Sequence, residues 1–375
     1  MKPLKLRDRF LSAGSHYIDV AIRIPLRIER RLEVPASVSL AMTVVFLALA
    51  LLFAAFLMQA LGIDAMSVLH QIATVFTTRE LLTAAFLRSV PIGLAAVGLT
   101  VSFRANFWNI GAEGQMFMGM FASTGIVLLH AYYGLIPGWA LLPAMAAASF
   151  VAGGLYCALS GVLRSKLGVN EVLTTLMMNF IAILFVDYLV YGPWRDPRGY
   201  GFPLSIPFPP EARFGGLMGE AYEGLALLAV LAVLTHLLMT RTTFGVDVKV
   251  VGENPYIAGI AGVRIPRTYF LVNLISGGLA GLAGFFLLSG IIGRLRPRAS
   301  PGYGYTAIII AFLAGLHPIL AIPAAVFMGG LIVAGDVLQA TLNLPFAAVQ
   351  LLQSTIFVMI VVAEFVKRYR IIWRW

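Results

Sequence analysis

The sequence predicts an all-α, polytopic transmembrane protein with about ten spanning helices and both termini on the cytoplasmic side. Three observations predict it. Of the 375 residues, 60% are hydrophobic and 12% charged, where a soluble domain carries roughly 25% charged residues; mean hydropathy is +0.90. So little polar surface cannot cover a water-facing globule, and lipid must solvate much of the chain. Apolar runs of spanning length recur along the sequence, and the basic residues gather at their ends on alternate sides.

A spanning helix needs about 20 mostly apolar residues. Val34 to Ile63 contains no Asp, Glu, Lys or Arg and holds the first span, 38–61. The second covers 81–103 and contains Arg88 and Pro91. Gly114 to Leu163 is a 50-residue stretch free of those charges, divided into spans three and four by Tyr132-Tyr133-Gly134 and Ile136-Pro137-Gly138. Spans five, six and seven cover 172–191, 222–240 and 268–292. Ala299 to Gly335 is too long for one helix, and His317-Pro318 divides it into a short span eight and span nine. Span ten covers 346–363.

Lys and Arg outnumber Asp and Glu by 27 to 17, a net charge of +10. With both termini inside, nineteen basic residues fall on the cytoplasmic side and seven on the other, with Arg88 within a span. That asymmetry sets the orientation and accounts for the positive charge without nucleic acid. The chain then divides into a basic cytoplasmic segment (1–33), a transmembrane domain (34–366) and a basic cytoplasmic tail (367–375). The first 33 residues lack a short apolar core with a cleavage site, so no cleaved signal peptide is expected.

Two loops stand out. Residues 192–220 are rich in Pro and Gly and read as an irregular external cap. Residues 241–267 lie inside, carry mixed charge, and contain Gly252-Glu253-Asn254-Pro255 ahead of an apolar stretch; a short helix packed against a cytoplasmic surface is expected there.

The most unusual segment is Asn106-Phe107-Trp108-Asn109-Ile110-Gly111-Ala112-Glu113-Gly114-Gln115. Amides, an aromatic, a carboxylate and glycines cluster between apolar runs. Glycine permits unwound backbone, and irregular backbone at membrane depth persists only inside protein or beside a wet cavity. The segment is either a helix break lining a solute path or an interfacial loop preceding a helix. Glu171, Thr175 and Asn179 share one face of span five, because residues four apart are neighbours. Glu171 reads as a helix-dipole partner, Asn179 as a path residue and Asp187 as an outer-interface group. Arg88 reads as a snorkelling side chain. Gly277, Gly278, Gly281 and Gly284 form a small-residue packing face. Arg294, Arg296 and Arg298 break the charge trend; they serve an acidic partner surface, an inward-folded loop or a solvated turn.

Catalytic signals are missing. There is no phosphate-binding G-x-x-x-x-G-K-[ST] and no G-x-S-x-G elbow. The five histidines lack zinc spacing, and the lone Cys157 offers neither disulfide nor metal site. No cofactor or metal is expected, and the chain reads as a non-catalytic subunit.

Four blocks in order carry a family resemblance: Asn109-Ile110-Gly111-Ala112-Glu113-Gly114-Gln115, Asn170-Glu171-Val172-Leu173-Thr174-Thr175-Leu176-Met177-Met178-Asn179, Gly252-Glu253-Asn254-Pro255 with Ala258-Gly259-Ile260, and Gly302-Tyr303-Gly304-Tyr305-Thr306-Ala307-Ile308. Over roughly residues 40–365 the chain resembles permease subunits of ABC importers in the branched-chain amino acid and ribose permease superfamily, and within it the simple sugar and nucleoside branch. The resemblance implies a multi-pass subunit of the bacterial inner membrane. Its implied partners are a cytoplasmic ABC ATPase, a second permease subunit as a heterodimer, and a periplasmic or lipoprotein solute-binding protein.

The resemblance also implies that Gly252, Glu253, Asn254 and Pro255 meet the ATPase. The expected solute is a nucleoside or a related small polar molecule, with a monosaccharide or branched-chain amino acid as the alternative within the family. Trp108, Asn109, Glu113, Gln115 and Asn179 are the expected path residues: amides for hydroxyls or base edges, and Trp108 or Phe107 for stacking. Outside the family, an ion-coupled secondary transporter would need mid-span carboxylates, which Asp187 and Asp336 approach from helix ends. A membrane enzyme lacks its catalytic groups, and a passive channel would conduct alone.

Overall fold

The computed structural model describes residues 26–30 and 36–373. Long apolar runs become helices because lipid offers the backbone no hydrogen-bond partners and a helix satisfies its own. In chain order these are α1 (Ala36–Ala60), α2 (Ala65–Thr77), α3 (Arg79–Arg104), α4 (Ala112–Tyr133), α5 (Gly138–Leu167), α6 (Glu171–Tyr191) and α7 (Glu220–Arg241). They continue as α8 (Thr243–Glu253), α9 (Pro255–Ile260), α10 (Ile265–Phe286, extended by a π-turn to Ile292), α11 (Tyr303–Leu313), α12 (Ala321–Leu342) and α13 (Phe346–Arg368). Among the described residues, eight helices are long and apolar enough to cross a membrane. The chain is thus a multi-pass membrane protein with an all-α fold.

All ten expected spans correspond to helices, with one difference in kind. Span eight is α11, and its eleven residues rise about 16 Å at 1.5 Å each, roughly half of a 30 Å hydrocarbon core. The irregular segment 293–302 leads into α11. Its backbone is satisfied by the 192–219 loop: Ser205 N–H donates to Leu295 O (3.0 Å) and Phe208 N–H to Gly293 O (2.8 Å), and Leu295 N–H donates to Ser205 Oγ (2.9 Å). The backbone of the arginine stretch is thus folded onto protein, while the side chains of Arg296 and Arg298 are exposed.

The sequence reading did not anticipate α2. Asp64 starts it by accepting from Met66 N–H (3.4 Å), Ser67 N–H (2.9 Å) and the Ser67 hydroxyl (2.6 Å), an N-cap that satisfies two orphan backbone donors. Its buried residues Val68, Ile72 and Val75 lie on one helical stripe.

The helices α3 and α10 form the centre: 78% and 83% of their most apolar windows are buried, against 28% for α7 and for α13. The glycine face of α10 does what close packing requires. A methyl on Gly281 would stand 2.1 Å from Ser149 O of α5, and one on Gly277 would stand 2.4 Å from Gly153 O.

One feature departs from helix altogether. The strand Leu26–Arg30 pairs antiparallel with Tyr369–Trp373, Leu26 opposite Trp373. This joins part of the segment expected as 1–33 to the tail expected as 367–375. The remaining residues of that segment, 1–25 and 31–33, and the last two of the tail lie outside the described residues.

Candidate functional site

The chain leaves α3 at Arg104 and re-enters helix at Ala112. Between them Asn106 takes a left-handed conformation, φ +52°, uncommon for a residue with a side chain. The turn is held by side chains. Asn109 is fully buried; its Nδ2 donates to Gln115 Oε1 (3.1 Å) and Ser276 Oγ of α10 (3.2 Å). Its Oδ1 accepts from Gln115 Nε2 (2.8 Å) and from Gly111 N–H (2.9 Å).

The expected face of α6 meets this turn. Thr175 Oγ1 accepts from Ile110 N–H (3.1 Å). Asn179 Oδ1 accepts from Gly114 N–H (2.8 Å), and its Nδ2 donates to Ile110 O (2.9 Å) and to Tyr305 Oη of α11 (3.1 Å). One buried amide therefore ties three elements and satisfies backbone groups on both sides of the break.

Glu113 closes the fourth side. It is 2% exposed, and its Oε2 accepts from Gly304 N–H (2.7 Å) at the start of α11. The carboxylate thus sits where α11 leaves backbone donors unpaired and its dipole is positive. Gly304 is required there, since a Cβ would fall 2.2 Å from Glu113 N.

Four of the five expected path residues, Asn109, Glu113, Gln115 and Asn179, are thus buried around the turn between α3 and α4, with Asn109 and Gln115 bonded to each other, Glu113 to Gly304 N–H, and Asn179 to backbone and to Tyr305. Trp108 is apart from them. It is 47% exposed, with its ring 5.9 Å from Phe103 and 5.9 Å from Phe312. Phe107, expected as an alternative stacking residue, is fully buried and packs on Tyr269 at 5.8 Å.

Sequence reasoning missed Arg164 and Tyr305. Arg164, near the end of α5, ion-pairs with Glu171, donates to Asn106 O (3.0 Å) and lies over the rings of Phe107 (5.4 Å) and Tyr269 (5.0 Å). Glu171, read as a helix-dipole partner, is therefore also an ion-pair partner. Arg164 carried a signal, as the basic residue closing a charge-free run, but nothing local said that it turned back onto the Asn106 turn. Asp187, read as an outer-interface group, is partly buried with Oδ1 lacking a hydrogen-bond partner among the described residues.

Arg88 is also better partnered than a snorkelling side chain. It donates to Tyr303 Oη (3.0 Å) and approaches Asp336 of α12 at 3.5 Å.

At the other end of α3, α8 is pressed against the chain: a Cβ on Gly252 would meet Arg104 O at 2.0 Å. Asn254 then caps α9, accepting from Tyr256 N–H (2.9 Å) and Ile257 N–H (3.3 Å), and Pro255 occupies its first turn. Tyr256, Ile257 and Ile260 are 78%, 56% and 73% exposed. The expected short helix is thus two helices with an apolar tip. Among the described residues, no group of three or more His, Cys, Asp or Glu could hold a metal.

Eight membrane-length helices packed around a buried set of amides define a multi-pass membrane protein. The model of the branched-chain amino acid transport system permease component family matches residues 81–363. A glucose ABC transporter permease of Haloferax volcanii is 32% identical over 363 residues, covering 93% of this chain and 94% of the relative. A Treponema pallidum protein named "Probable riboflavin import permease protein" is 27% identical, covering 76% of this chain and 75% of its own. A guanosine ABC transporter permease of Bacillus subtilis is 28% identical, covering 64% of this chain and 69% of its own. The chain belongs to this permease family, in its sugar and nucleoside branch, and is the permease component of an ABC importer.

Proposed function

We propose that the chain forms the translocation path of an ATP-driven importer in a bacterial inner membrane and carries a nucleoside or a similar sugar-containing solute. Both termini and the α8–α9 tip then face the cytoplasm, and the 192–219 loop faces outward.

The observation that carries this reading is a mechanical connection. The exposed α8–α9 tip holds Glu253, Asn254 and Pro255, and the close approach of Gly252 to Arg104 seats α8 on the end of α3. Directly after Arg104 the chain enters the 105–111 turn, which Asn179 and Glu113 clamp to α6 and α11. A cytoplasmic ATPase seated on the tip would therefore act directly on the break. On a tip facing the cytoplasm, exposed Tyr256, Ile257 and Ile260 are the kind of surface a protein partner covers. Asn109, Glu113, Gln115 and Asn179 shape the route by fixing the break, and Trp108 sits at its exposed edge.

In the full assembly the partners are a nucleotide-binding ABC subunit, a second permease as a heterodimer, and a periplasmic or lipoprotein binding protein. A monosaccharide is the second reading, favoured by the 32% identity to the haloarchaeal glucose permease over nearly both whole chains.

The test is reconstitution with an ABC ATPase, a second permease of the family and a solute-binding protein. ATP-dependent accumulation of labelled guanosine is expected, with glucose and leucine as comparison solutes. Accumulation by this chain alone, without ATP, would end the reading.

A further inference from the structure

A cavity of about 580 Å³ lies between α3, the 293–302 segment, α11, α12 and α13. It adjoins the 105–111 turn through α11, whose Tyr303 lines it next to the Gly304 that Glu113 holds, and its volume is that of a small-molecule pocket. Arg88 and Asp336 face each other across it at 3.5 Å, with 37% and 57% of their side chains exposed. Such a pair is loose: the carboxylate has about four acceptor positions and the guanidinium five donors, and Arg88 spends one donor on Tyr303 Oη (3.0 Å).

Three glutamine amides complete the polar wall, Gln339, Gln350 and Gln353. The Nε2 of Gln339 donates to Gly335 O (3.4 Å) and that of Gln353 to Leu331 O (3.3 Å), which leaves each amide an oxygen that can accept. Phe346 and Phe357 add apolar surface.

We propose that this cavity binds a neutral polyhydroxylated ring, a monosaccharide or the ribose of a nucleoside. A vicinal diol donates to Asp336 and accepts from Arg88 at once, replacing a long ion pair with two shorter charge-assisted hydrogen bonds. The Gln carbonyls accept from further hydroxyls, and the ring's C–H face lies on an aromatic wall. The Arg88–Asp336 pair that meets the diol carries no net charge, whereas Arg296 and Arg298 also line the cavity and are exposed, so a phosphorylated sugar is the discriminating probe. The site rests on the importer reading for its solute class and deepens it with named residues.

The test uses the reconstituted complete transporter carrying Gln350→Cys, with Gln339→Cys as a second reporter should the first fail to assemble. Labelling by a small maleimide is followed with D-glucose, guanosine or D-ribose 5-phosphate present, alongside accumulation of each; the buried Cys157 is the internal control. A neutral probe is expected to slow labelling at least about fivefold, and Asp336→Asn or Arg88→Gln is expected to abolish that protection. Accumulation of a neutral probe without protection of either reporter overturns the site and leaves the importer reading standing. Protection by ribose 5-phosphate alone also overturns it. Protection without ATP-driven accumulation keeps the site and removes the importer reading.

Discussion

Glu113 Oε2 accepts the backbone N–H of Gly304 at 2.7 Å, so the first turn of α4 and the first turn of α11 share one hydrogen bond deep in the bundle. A half-length helix cannot bury its N-terminal donors in an apolar medium without such a partner, because each unpaired donor there costs free energy.

Glu113→Ala should therefore destabilise the bundle by about 1–3 kcal/mol, the cost of a buried backbone donor left unpaired. Glu113→Gln, which keeps an acceptor, should recover most of the loss. Thermal unfolding in detergent measures both, and equal melting temperatures for wild type and Glu113→Ala would refute the clamp.

Asn179 and Tyr305 should behave as a coupled pair. Asn179→Leu strands Gly114 N–H and Ile110 O, while Tyr305→Phe removes a single partner. A double-mutant cycle on unfolding free energy should show a coupling of about 0.5–3 kcal/mol. Additive effects would show that the hydroxyl plays no part.

Arg164 holds the Asn106 turn from the tip end of the bundle. Arg164→Gln should raise amide hydrogen exchange at residues 106–110 by about tenfold, equivalent to about 1.4 kcal/mol of local stability, with little change in α12. Exchange that rises evenly through the bundle would instead point to general loosening.

The tip predicts a separation of binding from folding. Tyr256→Ala removes an exposed aromatic and should weaken ATPase association by about 1 kcal/mol or more, as aromatic contact residues do, without lowering the melting temperature of the chain. Gly252→Leu should do the reverse, since any Cβ there collides with Arg104 O at 2.0 Å. Pull-down of the ATPase together with thermal unfolding distinguishes the two.

Much of the fold was legible because the bilayer imposes a length and a polarity on each element. Charge-free runs such as 114–163, punctuated by Gly and Pro, located helices in order. The two missed elements are those whose signal is short or distant. The cap at Asp64 that starts α2 spans four residues, and the pairing of Leu26–Arg30 with Tyr369–Trp373 joins opposite ends of the chain.

The candidate site was legible by composition and not by arrangement. Amides, a carboxylate and glycines in an apolar setting marked residues 106–115 and Asn179 as unusual, because polar groups at membrane depth must be satisfied by something. What satisfied them was invisible locally: Asn109 finds Ser276, Asn179 finds Tyr305 and Glu113 finds Gly304 across separations of more than a hundred residues.

By itself, then, the sequence determined that this protein lives in lipid, how many times it approaches a crossing, and where its helices break, since those follow from local hydropathy and backbone chemistry. Tertiary structure alone decided that α11 stops half way, that the conspicuous amides face one another while Trp108 stays at the surface, and that Arg88 meets Asp336 and Tyr303 at the wall of a cavity. Contacts between helices depend on which faces meet after packing, and no local run of residues encodes that choice.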